Sequence, residues 1–310
     1  MHAGATAEPA LARRLSWRVW TRATEPYLYT LPALLLIATV MMMPLVIGLS
    51  YAFRDITLLD PLSGGFVGLD HFRELYADAS FWNALRNTVT WTATSVALQF
   101  ALGLMLAQLL NRAFPGRALI QILVFLPWAV PSFLSGLNWA WLFNPVVGPL
   151  PYWFQAVGLT HGTDNLLSDP QHALWGPIIA NVWWGIPFFA ITLLAALQSI
   201  PRDIYEAAVM DGAGAWTRFR HITLPFLAPT MAITILLRTV WIANFADLIV
   251  VMTKGGPADS TQILASYIFT QAFQRLDFGY ASAVAAVLLL LLLAYAGALL
   301  LLRRMLTARV

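Results

Sequence analysis

Six long apolar runs constrain the fold of this chain more than any other feature of its sequence. They cover residues 28–53, 87–110, 118–143, 173–197, 226–252 and 279–302. An α-helix needs about 20 apolar residues to cross the hydrocarbon of a bilayer, and each run is long enough. Only helices and closed barrels satisfy all backbone hydrogen bonds inside a membrane. The sequence therefore predicts an all-α, polytopic membrane protein with six transmembrane helices.

The composition agrees with a membrane protein and excludes several other classes. Only 11% of the 310 residues are charged, whereas soluble domains average about a quarter. The net charge is +3 and the basic residues are scattered, which argues against a nucleic-acid partner. The chain has no cysteine, which excludes disulfides, thiolate metal sites and cysteine nucleophiles. The first apolar run is too long for a signal peptide, so we expect it to be retained.

The distribution of lysine and arginine between the loops predicts the orientation. The two tails and the connections after the second and fourth runs together carry twelve, whereas the loops on the other side carry five. Because cytoplasmic loops hold the excess of positive charge, both termini are predicted to be cytoplasmic. The predicted cytoplasmic tails are residues 1–27, with arginines near anionic lipid, and residues 303–310.

The segment EAAVMDGAGAWTRFRHITLPFLAP, residues 206–229, is too polar to span the membrane and lies on the predicted cytoplasmic side. Asp203 to Met210 is predicted to form a short helix. Asp211-Gly212 is a stop, because glycine accepts the left-handed conformation that closes a helix. A second short helix is predicted from Ala215 to Thr223, and Pro225 marks the start of the next span.

The residues of this segment leave two interpretations open. Trp216, Phe219 and Ile222 recur every three positions and form one apolar stripe. Two short helices with many alanines and little side-chain bulk would fit into a groove on another protein. Alternatively, the segment is a surface loop whose alanines reflect only helix propensity.

Three stretches of the sequence carry a resemblance to a known family. The first is EAA, then DGA, Phe219, Ile222 and Leu224-Pro225; the second is NFADLIVVMTKGGPADST at 244–261; the third is VGLDHFRELYADASFWNALRNT at 67–88. Together they resemble the permeases of ABC importers for carbohydrates, of the maltose and glycerol-3-phosphate type. The resemblance covers nearly the whole chain beyond residue 28. It implies one permease domain over 28–302 in the bacterial inner membrane, with a cytoplasmic coupling loop at 203–225.

In such importers the coupling loop passes ATPase closure to the membrane helices. The resemblance implies that Glu206 is its polar anchor and Gly212 its bend, and that Trp216, Phe219 and Ile222 pack against the permease's own helices. The residues assigned to the loop by the motif are Glu206, Ala207, Ala208, Asp211, Gly212, Ala213, Phe219, Leu224 and Pro225.

The resemblance also implies the partners. They are a periplasmic or lipoprotein solute-binding protein, two copies of a cytoplasmic ABC ATPase, and a second permease. The second permease is expected to be a different protein, because this chain lacks the Gly-x-Val-Lys-Gly ending common in one of the two. No G-x-x-x-x-G-K-[ST] motif occurs, so the chain has no P-loop for ATP. We therefore expect no cofactor on this chain, and ATP and magnesium on the partner ATPase.

Arg238 is a charged residue near the middle of the fifth run. A charge there costs about 2.5–3.5 kcal/mol on insertion scales, so it is expected to face protein or water. Its spacing places it on one helix face with Trp241, Ile242 and Phe245. By resemblance to maltose-type permeases this face lines the solute path, together with Trp184, Gly185 and Phe188 on the fourth run. Alternatively, Arg238 pairs with an acid or a carbonyl group, and the aromatic residues only pack.

The nature of the solute also leaves two readings open. A guanidinium grips phosphate, sulfonate or carboxylate groups at two points, so Arg238 favours an anionic or strongly polar sugar derivative. A neutral oligosaccharide or polyol is the alternative.

Two rival classes of function remain to be weighed. An intramembrane hydrolase needs a nucleophile and a base facing each other inside the membrane, but all five histidines lie in loops or at span edges. No H-E-x-x-H or G-x-S-x-G occurs, so no catalytic or metal-binding residues are assigned. Half of a secondary transporter would show an internal repeat, and none is obvious. The loop at 144–172 is either a receptor contact or a connector.

Overall fold

The computed structural model describes residues 27–60, 62–158 and 166–307, with side chains through residue 301. The predicted tail at 1–27 lies outside the described residues, apart from Tyr27. Within the described ranges, five helices are long and apolar enough to cross a membrane, and a bent pair of helices makes a sixth candidate. The predicted all-α membrane fold is confirmed.

Helix α1 spans Tyr27–Tyr51 and forms a separate compact unit. None of its side chains is buried within that unit. A π-helical stretch, Ile37–Met42, precedes Pro44. Proline has no backbone N–H and its ring crowds the preceding turn, which explains the wider winding at this point.

The second span is longer than the apolar run that predicts it. Helix α2 covers Asp70–Ala77 and α3 covers Ala79–Leu110. Asp78 lies between them and accepts a hydrogen bond from the backbone N–H of Ser80 at 2.8 Å. This N-cap starts α3 two turns before the apolar residues begin.

The third apolar run, 118–143, forms two helices rather than one continuous helix. Helix α4 covers Arg117–Ala129 and α5 covers Ser132–Leu142, with a bend of 95° between them. Val130 is extended because a residue before proline avoids the helical conformation, and Pro131 has no N–H to continue the helix.

Among its described residues, the loop predicted to be external contains a short α-helix, α6 (Pro149–Ala156), and the fourth span is α7 (Trp175–Gln198). Helices α3 and α7 approach closely at Gly103, where a Cβ atom would lie 2.5 Å from the Cβ of Phe189. Phe189 is fully buried in the main apolar core together with Trp91 of α3. The core of residues 52–301 therefore forms around α7.

Beyond α7 the chain forms α8 (Arg202–Met210) and α9 (Ala215–Arg218). A π-helical turn, Phe219–Thr223, then leads directly into α10 (Leu224–Ala243). The α-helix of the fifth span thus begins where Pro225 is predicted to mark its start, although the π turn joins it to α9 without a break. The π turn absorbs the hydrogen bond that Pro225 cannot make, and the helix continues.

The fifth span is itself interrupted before it ends. Residues 244–246 separate α10 from α11 (Asp247–Met252), and α12 (Leu264–Phe269) and α13 (Phe278–Thr307) follow. Helices α5 and α11, the second halves of the two broken runs, pack together. At their contact a Cβ on Gly136 would lie 3.0 Å from the Cβ of Val251.

Asp78 joins the ends of α3, α12 and α13. The hydroxyls of Tyr267 and Tyr280 donate to its carboxylate at 2.5 and 2.6 Å. Burial raises the pKa of Asp78, but the tyrosine and backbone hydrogen bonds lower it by more, so the pKa lies below its usual 3.8. Burial, together with the hydrogen bond to Asp78, raises the pKa of Tyr267 to about 12.

Candidate functional site

Arg238 of α10 lies inside the helix bundle with only 1% of its surface exposed. Its Nε–H donates a hydrogen bond to Oε1 of Gln99 on α3 at 2.7 Å. No acidic side chain of the described residues forms an ion pair with Arg238. Its Nη2 is buried and finds no hydrogen-bond acceptor in the described part of the chain. The guanidinium is therefore hydrogen-bonded to a neutral amide and not paired with a carboxylate of the described residues.

Three aromatic rings surround the guanidinium carbon. The ring centroids of Trp184, Phe188 and Trp241 lie 5.4, 5.6 and 5.3 Å from it. These distances are within the range of a cation–π interaction, which stabilises a charge removed from water. Phe245 extends the wall, because its ring stacks on Trp184 at 5.3 Å with an angle of 14° between the planes.

Because Gly185 has no side chain, it leaves space for the amide of Gln99 and the guanidinium of Arg238. A Cβ atom at this position would lie 2.2 Å from Cδ of Gln99 and 2.3 Å from Nη2 of Arg238. One turn earlier on α7, Asn181 is fully buried, and its backbone carbonyl accepts a hydrogen bond from Nε2 of Gln99 at 2.8 Å. Both polar atoms of the Asn181 side chain lack a partner among the described residues. We call Gln99, Asn181, Gly185 and Arg238 the arginine cluster.

Trp184 connects the arginine cluster to both helix breaks. Its indole N–H donates to the backbone oxygen of Val130, at the break between α4 and α5, at 3.1 Å. Phe245, which stacks on it, lies in the break between α10 and α11. Nearby, Ser132 Oγ donates to Asp247 Oδ2 at 2.6 Å, so Asp247 is engaged away from Arg238.

The structure brings together six of the seven residues predicted to line the solute path. Phe245 belongs to this group although it lies beyond the end of α10 rather than on its face. Ile242 differs, because it is 1% exposed in the apolar core, where its backbone oxygen accepts a hydrogen bond from the indole of Trp91 at 3.0 Å. The six are Trp184, Gly185, Phe188, Arg238, Trp241 and Phe245.

Sequence reasoning missed Gln99 and Asn181. Both are amide residues inside apolar runs, and polar groups inside a membrane are expected to face the bundle and find partners. Both residues could have been found by applying that rule to the uncharged polar residues of the spans as well as to the charged ones. The alternative that Arg238 pairs with an acid or a carbonyl group is met in its second form, since the acceptor is the side-chain carbonyl oxygen of Gln99.

The predicted coupling loop has a defined turn between α8 and α9. Gly212 has φ +77°, and the N–H groups of Gly212 and Ala213 donate to the carbonyls of Val209 and Ala208 at 3.0 and 2.8 Å. This pair of bonds is a Schellman motif, in which a left-handed residue closes a helix. A hydrogen bond of 2.9 Å between Tyr205 and Thr223 ties α8 to the π turn.

The side chains of this loop are mostly exposed. Glu206, Ala207, Asp211, Gly212 and Pro225 are exposed, whereas Ala208, Ala213, Phe219 and Leu224 are half-buried. Trp216 is 69% exposed and its ring contacts only Phe219 among the described aromatic rings. The prediction that Trp216 packs against the helices of its own chain is therefore wrong. A tryptophan at the first turn of α9 projects from the bundle.

A family model described as "Binding-protein-dependent transport system inner membrane component" matches residues 99–307, about two thirds of the chain. The chain belongs to this family. The permease is 34% identical to the trehalose/maltose transport system permease protein MalF of Thermococcus litoralis, over 89% of this chain and 91% of that protein. It is 32% identical to the sulfoquinovosyl glycerol transport system permease protein SmoG of Agrobacterium fabrum, over 87% and 88%.

A solved structure agrees with these relatives. The permease matches, with a TM-score of 0.75 and 26% identity, a chain of a bacterial ABC transporter involved in the import of the acidic polysaccharide alginate. The match covers 92% of the permease and 98% of that chain. The permease is therefore a transport subunit of an inner-membrane ABC importer and not an enzyme, and the hydrolase and secondary-transporter alternatives are excluded.

Proposed function

We propose that this permease forms half of the translocation path of an importer for a sugar derivative that carries an acidic group. The arginine cluster and its aromatic wall contact the solute. The observation that carries the proposal is a buried guanidinium whose only described hydrogen-bond partner is a neutral amide.

The charge of Arg238 is the main argument for an acidic solute. A neutral sugar could be held by amides and hydroxyls without the cost of placing a charge in the membrane. A carboxylate or sulfonate, in contrast, would give Nη2 the acceptor that it lacks. Two similar proteins agree with an acidic solute, since one belongs to a transporter for the acidic polysaccharide alginate and the other is named for sulfoquinovosyl glycerol.

The aromatic wall supports a sugar as the carrier of that acidic group. Trp241 is 46% exposed, so one face of the wall is open in the isolated chain. Aromatic rings offer flat apolar faces to the C–H groups of a sugar, and tryptophan adds a polar edge. A neutral sugar is the second candidate, favoured by the similarity to a permease named for trehalose and maltose.

The remaining assignments follow from the family. A binding protein outside the membrane delivers the solute, and a second, different permease completes the path. Two cytoplasmic ABC ATPases bind ATP and magnesium and dock on the segment 203–225. The exposed side chains of Met210 and Trp216, 87% and 69% accessible, are available for this contact.

The test is uptake by the complete importer in proteoliposomes, with sulfoquinovosyl glycerol, alginate oligosaccharides, trehalose and maltose as probes. We expect the wild type to take up an acidic probe, and Arg238→Gln to lower that uptake by about tenfold or more, because a hydrogen bond to a charged group is lost. Arg86→Gln changes an exposed arginine on α3 and serves as the matched control.

Two results would contradict the proposal that the solute is acidic. The first is a wild-type importer that takes up only trehalose or maltose. The second is an Arg238→Gln importer that works at the wild-type rate, or that fails to assemble, since Arg238 would then have a purely structural role.

A further inference from the structure

We infer that Gln99 is a positioning residue for Arg238, and that its neutrality leaves the guanidinium charge for the acidic group of the solute. This inference rests on the proposed function and adds the residue that sets the specificity. Gln99 lies 139 residues from Arg238 in the sequence and on a different helix. It is fully buried, as is its partner.

The two hydrogen bonds of Gln99 determine the orientation of its amide. Oε1 accepts from Nε of Arg238, and Nε2 donates to the backbone oxygen of Asn181. If the amide were turned over, its NH2 group would face the Nε–H of Arg238, and its oxygen would face a carbonyl oxygen. Both contacts would then be lost, because each would join two donors or two acceptors.

This arrangement limits how Arg238 can bind an anion. A guanidinium can hold a carboxylate or sulfonate through Nε and one Nη, or through its two Nη groups. Gln99 occupies the Nε–H, so the pair of Nη groups remains for the ligand. Gly185 lies against Nη2, and three aromatic ring centroids lie within 5.6 Å of the guanidinium carbon. The anion is therefore expected to approach the Nη end.

The charge of residue 99 decides what Arg238 is free to bind. Glutamate has nearly the same size and shape as glutamine, but it would form an ion pair with Arg238 inside the bundle. That internal counter-charge would compete directly with an acidic solute. Methionine has a similar volume and no amide, so it would remove the hydrogen bond without adding a charge.

The experiment compares Gln99→Glu and Gln99→Met in the complete importer. The probes are sulfoquinovosyl glycerol and glucosyl glycerol, the same glycoside with a hydroxyl in place of the sulfonate. Gln99→Glu is expected to lower uptake of the sulfonated probe by about tenfold or more relative to the neutral probe. Gln99→Met is expected to raise the KM for the sulfonated probe several-fold with little change in the maximal rate. In an Arg238→Gln background, Gln99→Met should have no further effect on the sulfonated probe, because its effect acts through Arg238.

The other outcomes distinguish failure of the role of Gln99 from failure of the proposed function. If Arg238→Gln lowers uptake of the sulfonated probe while both Gln99 variants equal the wild type, the role of Gln99 is overturned and the proposed function stands. An equal loss for both probes, or loss of copurification with the partner subunits in both variants, would show that Gln99 is only structural. A wild type that takes up only the neutral probe would overturn both proposals.

Discussion

The indole N–H of Trp184 donates a hydrogen bond to the backbone oxygen of Val130 at 3.1 Å. This bond satisfies a carbonyl that the 95° break between α4 and α5 removes from regular helical bonding. The same tryptophan stacks on Phe245 at the second break and covers Arg238. One side chain thus links two interrupted spans to the arginine cluster.

Replacing Trp184 with phenylalanine keeps an aromatic ring but removes the N–H. A buried carbonyl without a donor costs about 1–3 kcal/mol, so the melting temperature of the detergent-purified importer is expected to fall by about 3 °C or more. Trp183→Phe is the matched control, because none of the described hydrogen bonds involves Trp183, whose ring packs on Trp139. Equal melting temperatures for the two variants would show that the bond to Val130 contributes nothing.

Gly212→Pro tests the coupling loop. Proline holds φ near −65° and has no N–H, whereas Gly212 has φ +77° and donates to Val209. We expect the variant to reach the membrane at normal levels, and solute-stimulated ATP hydrolysis to fall to the basal rate. Gly214→Ala is the control, because Gly214 has φ −65° and open space around it. Normal uptake with Gly212→Pro would remove the loop from the coupling mechanism.

The pH dependence of stability tests the cap at Asp78. Its pKa in the folded protein is lower than the usual 3.8, so its contribution is present above pH 3.8 and is lost as the pH falls through the folded value. Asp78→Asn is expected to lower the melting temperature at pH 7 and to flatten its decline between about pH 5 and pH 3. Asp70→Asn, at an exposed site paired with Arg73, is the control. An unchanged decline in Asp78→Asn would assign the acid sensitivity to other groups.

The orientation in the membrane is a prediction from the twelve-to-five distribution of basic residues. A reporter that is active only outside the cytoplasm should be active when fused after Leu150 or Gly256. The same reporter fused after Ala215 should be inactive. Activity after Ala215 would place the segment 203–225 outside, where no cytoplasmic ATPase could reach it.

The sequence by itself determined the features that depend on neighbouring residues. Apolar length predicts the spans, since a membrane-crossing helix satisfies its own backbone hydrogen bonds. The bend at Gly212 was equally predictable, because only the local backbone decides a left-handed helix end. The positions of Trp184, Phe188 and Trp241 followed from helical spacing together with the family resemblance.

Only the tertiary structure decided how distant residues meet. Gln99 became the partner of Arg238 because α3 packs closely on α7 at Gly103 and Gly185, and α10, which carries Arg238, packs against both helices. Pro131 predicts a break in the helix, but the size of the bend depends on tertiary contacts. The freed carbonyl accepts a hydrogen bond from Trp184, and α5 packs against α11. Tertiary packing likewise decides that the helical backbone continues through Pro225 and that Trp216 is exposed. Periodicity predicts which residues share a helix face, whereas the packing of the whole bundle decides which face is covered.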